Sequence, residues 1–201
     1  MTNNTDNFPT IPLGNICKQI TDGKHGDCES QENSGYYFVS VKDIINGCIC
    51  YKSVRQITAE DFFEAHKRTN LEIGDVLFTN SGTLGRMSII TSNDYPGRTT
   101  FQKSVAILKP DCRKISSTFL YLSLSCNKDR IIDFAHGSAQ KNLLLSDIRS
   151  FEIKYPPEDY RKHLDALVAP LFKQIQHNHA EIVILQEIGS ALLSQIAGSS
   201  H

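Results

Sequence analysis

Apolar positions recur along the chain with two different periods, and the change of period divides it. Up to about residue 155 they alternate with polar ones in short bursts. TIPLGNI, YYFVSVKDI, DVLFTN and SVAILKP are rich in β-branched and aromatic residues, the pattern of short strands. Turn signals separate the bursts at Asp22-Gly23, Asn46-Gly47, Ile73-Gly74-Asp75 and Ser81-Gly82. Two helical segments interrupt them. In ITAEDFFEAHKR, Thr58 stands as the N-cap with Asp61 three residues on, a variant of the capping box. ISSTFLYLSLSCNKDRIIDFAHG predicts one helix from Ser116 or Ser117 to a stop near Gly137.

After Tyr155-Pro156-Pro157 the strand signal ends and helical spacing runs to Ala197. Leu164, Leu171, Asn178, Leu185 and Leu192 fall on d positions of a heptad; Val168, Ile175, Ile182, Gly189 and Ile196 fall on a. Eight of these ten are aliphatic, with branched residues at a and leucine at d, which favours a two-stranded coil. A seam this narrow suits a partner helix; an amphipathic helix folded back on the β-rich part is the alternative. Pro170 predicts a break, because a proline inside a helix costs about 3 kcal/mol. A short helix from about 157 to 168 would then precede a second of roughly 28 residues, near 40 Å long, with Pro170 in its first turn. The expected class is α+β: a β-rich domain over 1–155 with a few helices, then a long coiled-coil helix over 156–201.

At 201 residues the chain can hold one core plus an appendage. No apolar run reaches the roughly 18 residues of a bilayer span, and MTNNTDNFPT lacks the zones of a signal peptide, so a cytoplasmic protein with no membrane partner is expected. Six cysteines without a C-x-x-C pair read as free structural thiols, with no metal site. The net charge of −1 argues against indiscriminate nucleic-acid binding and leaves local clustering to decide.

Four polar loops carry the candidate chemistry. Residues 21–35 hold Lys24 and His25 between Gly23 and Gly26; residues 78–90 hold Asn80, Ser81, Thr83 and Arg86 among glycines. The second loop lacks the spacing of a phosphate-binding P-loop and runs into a strand-like SII. Residues 94–108 hold Arg98, Thr99, Thr100, Gln102 and Lys103, and GSAQKN holds Gln140, Lys141 and Asn142. Arginine and amide side chains pair bidentately with base edges, whereas lysine and threonine suit phosphates. Lys24, Arg86, Arg98 and Lys103 are thus candidates for phosphate or guanine, and Asn80, Gln102 and Gln140 for base edges. GSAQKN serves either as one such finger or as the turn that anchors the others. Catalytic patterns are lacking: no H-E-x-x-H or G-x-S-x-G occurs, and Cys28 near His25 has no orienting third group.

VSVKDIINGCI, LEIGDVLFTNSGTLGR, Gln102 before its strand, and GSAQKNLLLSDIRSFEIKYPP follow one another in an order that resembles type I restriction–modification specificity (S) subunits, from Ile11 to Gly198. The resemblance is to half of such a subunit: one target-recognition domain and one spacer helix. After the proline pair, Tyr160-Arg161 stands where the family usually has Glu-Gln. The resemblance implies a non-catalytic, sequence-specific DNA-recognition subunit without a cofactor of its own. It would read one half of a bipartite site in double-stranded DNA. It would dock methyltransferase (modification) subunits, which use S-adenosylmethionine, with restriction subunits as further candidates. A half-length chain is expected to form a homodimer through the seam residues Leu164, Val168, Leu171, Ile175, Asn178, Ile182, Leu185, Leu192 and Ile196, Asn178 setting register. The alternative is an interaction or decoy half-subunit that modulates such a complex without specific DNA reading.

Overall fold

A computed structural model of the chain describes residues 8–137 and 141–198. Strand β1 (Thr10–Pro12) leads into β2 (Cys17–Asp22), and after a long excursion the chain returns as β3 (Tyr37–Val39). Strands β4 (Ile44–Ile45) and β5 (Cys48–Ile49) pair around Asn46 and Gly47, both at positive φ, the geometry that a two-residue hairpin turn requires. Strand β6 (Arg55–Gln56) precedes helix α1 (Ala59–Thr69), and β7 (Val76–Thr79), β8 (Met87–Ile89), β9 (Thr99–Phe101) and β10 (Val105–Pro110) follow. Helices α2 (Ser117–Cys126), α3 (Lys128–Ile132) and α4 (Leu145–Ser150), strand β11 (Glu152–Lys154) and helix α5 (Glu158–Gly198) complete the chain.

The central sheet has the antiparallel order β2-β10-β7-β8. Successive side chains of a strand point to opposite faces, and both faces are covered. Val76, Phe78, Ala106 and Leu108 enter one core with Phe119, Leu120 and Leu124 of α2 and Ile148 of α4. Leu77, Val105 and Ile107 enter a second core with Val39 and Phe101 of the sheet β6-β3-β9. A third, built from Cys28, Phe38, Ile57 and Phe62, seats α1. The buried polar exception on β10 is Lys109, whose Nζ lies 2.6 Å from the Asp75 carboxylate and 2.6 Å from the Asn70 carbonyl.

Local chemistry sets the helix ends. Thr58 Oγ1 accepts from the Asp61 N–H at 3.3 Å, as the sequence suggests. The Asp61 carboxylate does not return to complete the box, because Lys24 and the Glu29 N–H take it. The single helix expected over 116–137 is instead two: Asn127 leaves helical geometry between α2 and α3, and Gly137 adopts φ 102°. The break expected at Pro170 is likewise absent; α5 runs unbroken for 41 residues, about 60 Å. Pro170 and Ala166 are both exposed, so water can solvate the carbonyl that the missing N–H leaves open.

Strands β1 and β11 pair from Thr10↔Lys154 to Pro12↔Glu152 and fix where α5 leaves the domain. Its first turns are anchored: Leu164 packs on the domain's own core, Ser116 Oγ donates to Asp165 at 2.6 Å, and Phe172 meets the Tyr121 ring edge-on. Leu164 is thus a correction to the expected seam, since the domain covers it; Val168 is half-buried. From Leu171 onward the apolar stripe faces solvent, with Leu171, Ile175, Ile182, Leu185, Leu192 and Ile196 each more than half exposed. Asn178 lies exposed on it, accepting from Gln174 Nε2 at 2.7 Å. No helix among the described residues is long and apolar enough to cross a membrane.

Candidate nucleic-acid interface

The four polar loops meet because they are the ends of neighbouring strands. Beyond β2, the Lys24 N–H donates to the Phe101 carbonyl at 2.8 Å and the Lys24 carbonyl accepts from the Lys103 N–H at 3.1 Å. Beyond β7, the Asn80 N–H donates to the Ser104 carbonyl at 3.0 Å, and the Asn80 carbonyl accepts from the Leu143 N–H at 2.8 Å. Ser81 bridges to Asn142, and Asn142 exchanges two main-chain bonds with His136. The result is one continuous rim, ordered His25, Lys103, Ser81, Asn142, and held by backbone. Gly23 makes the first contact feasible: a Cβ there would lie 2.0 Å from the Phe101 carbonyl oxygen.

A cleft of about 460 Å³ opens on this rim between Asp22, His25, Asn80, Ser81, Lys103 and Asn142, with Leu143–Leu145 as its wall. Asp22 is buried; its carboxylate lies 3.0 Å from His25 Nε2 and accepts from Arg68 on the other oxygen. Lys103 and the His25 ring are exposed, whereas Asn80 is buried and donates from Nδ2 to the Leu143 carbonyl at 3.2 Å. The Asn80 Oδ1 and the adjacent Ser104 Oγ are buried with no hydrogen-bond partner among the described residues, a cost of about 1–3 kcal/mol each.

Several expected contacts are corrected. Lys24 does not project: its ammonium lies 2.7 Å from both Asp61 and Glu64 of α1, which hold it above the ordinary lysine range. Arg86 turns inward and donates from Nη1 to the carbonyls of Val41, Lys42 and Ile44, tying the 80–86 loop to the turn before β4. Thr99 and Thr100 are buried, because β9 inserts parallel to β3. Asn80 supports the rim from beneath instead of presenting its amide. Gln102 is half-buried; Thr83, Arg98 and Lys141 are exposed, and none of these four lines the cleft. Gln140 lies outside the described residues.

The thiol alternative finds no support among the described residues. Cys28 is buried beside α1, and desolvation pushes its thiol up, away from the reactive thiolate. All six cysteines are free, and among the described residues no group of His, Cys, Asp and Glu could hold a metal. A second cleft of about 550 Å³, missed in the sequence, separates the domain from α5. Tyr37, Tyr51 and Tyr95 line one side with their rings in mutual contact, and Gln176, His179 and Val183 line the other. The three tyrosines are dispersed in the sequence and meet only because β3, β9 and the turns beside them assemble.

The family model for the type I restriction modification DNA specificity domain matches residues 6–184. The chain belongs to that family. Among relatives of this specificity domain, the type I restriction enzyme MjaIX specificity subunit of Methanocaldococcus jannaschii is 26% identical over 168 residues, 82% of this chain and 37% of that protein. The fold is shared with the S subunit of a type I restriction–modification system from M. genitalium, at TM-score 0.61 and 16% identity, covering 92% of this chain and 44% of that one. An HsdS subunit from Thermoanaerobacter tengcongensis gives 0.51 and 15%, covering 89% and 40%. The chain therefore spans less than half the length of these relatives.

Proposed function

We propose that this chain is a non-catalytic DNA-reading unit of a type I restriction–modification specificity subunit, acting in the cytoplasm and recognising one half of a bipartite site in double-stranded DNA. The convergence of four polar loops on one main-chain-braced rim carries the reading. Residues 1–155 hold the rim, with Lys103, His25, Ser81 and Asn142 at the cleft; Thr83, Arg98, Gln102 and Lys141 are further candidate contacts outside it. A rigid frame with exposed polar corners suits recognition, since each bidentate base contact discriminates by about 1–3 kcal/mol.

Residues 156–201 serve as spacer. The exposed stripe from Leu171 to Ile196 supports pairing with a second such helix, in this chain's own copy, as a coiled coil. Two domains would then be held a fixed distance apart, and methyltransferase subunits would dock on the assembled pair.

Selection of duplexes from a randomised pool, followed by fluorescence anisotropy over a salt series, tests the reading. A preferred sequence that survives added salt is expected. Equal affinity for all duplexes at every salt concentration would overturn it.

A further inference from the structure

Resting on the DNA-reading proposal, the geometry of the cleft assigns its ligand more narrowly. We propose that the cleft on the rim is the seat of one backbone phosphate of the DNA, with His25 and Lys103 as its charged ligands, and that filling it places a second proton on His25.

The placement of donors and charges leads there. Lys103 is exposed at the cleft mouth. Unlike Lys24, which Asp61 and Glu64 hold on the other side of the same backbone ladder, Lys103 has no carboxylate within salt-bridge distance among the described residues. Ser81 and Asn142, a hydroxyl and an amide residue, also line the cleft. Among the described residues Asp22 is the one anionic side chain in the cleft, and it is already engaged on both oxygens, by Arg68 and by His25 Nε2. A lysine point charge with small neutral donors suits a phosphate better than a base edge, which calls for a planar bidentate partner.

His25 supplies the proton linkage. Asp22 lies 3.0 Å from Nε2, so the N–H belongs on that nitrogen and Nδ1 of the neutral ring has only a lone pair. A phosphate oxygen meeting Nδ1 requires the imidazolium, in which both nitrogens donate. The charged groups around the ring are Asp22 on β2, Arg68 on α1 reached through Asp22, and Lys103 ahead of β10. A phosphate between His25 and Lys103 offsets their mutual repulsion. Binding thus takes up a proton without any rearrangement of the rim.

The test measures affinity for a selected duplex and for a scrambled one with wild-type protein, Lys103→Gln and His25→Gln, at pH 6 and pH 8 and over a salt series. For Lys103→Gln the log–log salt slope is expected to fall by about 0.9, with equal losses on the two duplexes. Wild type is expected to bind more tightly at pH 6 than at pH 8, and His25→Gln to remove that difference while keeping the sequence preference. A loss confined to the selected duplex would make these residues base readers and overturn the phosphate seat. Unchanged slopes with a persistent pH difference in His25→Gln would overturn it as well. These outcomes differ from failure of the underlying reading, in which the wild type itself shows no sequence preference.

Discussion

Arg86 separates a structural arginine from a DNA-facing one, and its replacement by methionine tests which it is. Methionine keeps much of the apolar stem and removes every donor. The guanidinium Nη1 reaches the carbonyls of Val41 at 3.0 Å, Ile44 at 3.2 Å and Lys42 at 3.4 Å. The Lys42 carbonyl is exposed and water can replace the bond, so it adds little. The other two are partly buried, and a hydrogen bond from a charged donor contributes about 1.5–3 kcal/mol. Both share one nitrogen, so the lower end applies to each, giving a total of about 3 kcal/mol. For a chain of this size each kcal/mol moves Tm by roughly 2–4 °C, and Arg86→Met should melt about 6–12 °C below wild type. Circular dichroism melting, paired with the salt dependence of duplex binding, measures both consequences. The expected result is a lower Tm with an unchanged salt slope. An unchanged Tm with a slope reduced by about 0.9 would put the guanidinium on a phosphate and refute the inward role.

Lys109→Met alone should destabilise by about 3–5 kcal/mol, because it strands the buried Asp75 carboxylate. Lys109→Met with Asp75→Leu should recover part of that loss in urea unfolding, and an equal or larger loss would show that the pair is not coupled. Gly189 sits on the proposed seam with nothing within 4 Å of an added Cβ. Gly189→Ala should therefore stiffen the helix by up to about 1 kcal/mol and tighten self-association roughly fivefold in sedimentation equilibrium. A weaker dimer would mean that the helices approach closely at that point. The Arg113 guanidinium holds the Asp111 carboxyl down at about 2. The folded value is depressed, so its contribution is complete above the ordinary carboxylate range and fades as pH falls towards 2. Urea midpoints of wild type and Arg113→Ala should differ at pH 5 and converge near pH 2; a constant gap would exclude that origin.

The alternating strands, the Thr58 cap and the apolar stripe of α5 were legible because each depends on neighbours within a few residues. The four loops could be recognised as polar corners for the same reason, and strand pairing then gathered them. What the sequence concealed were side chains whose fate depends on distant partners. Lys24 is captured by carboxylates 37 and 40 residues away, and Arg86 by carbonyls more than 40 residues back. Thr99 and Thr100 are polar in sequence but buried by a parallel pairing with β3 that no local signal announces. Pro170 misled for a different reason: an internal proline disfavours a helix without having to end it, and here α5 continues with Pro170 and Ala166 both facing water.

If the rim meets DNA as proposed, its backbone bracing also limits how many base pairs it can face. Adjacent strands lie about 4.8 Å apart, so the three steps from His25 through Lys103 and Ser81 to Asn142 cover about 14 Å. Successive bases along one strand of the duplex rise about 3.4 Å. Laid along a groove, this edge faces roughly four consecutive base pairs. In the proposed complex the letters would be chosen by side chains beside the phosphate seat, such as Gln102 and Thr83, while lengthening the word would require adding a strand.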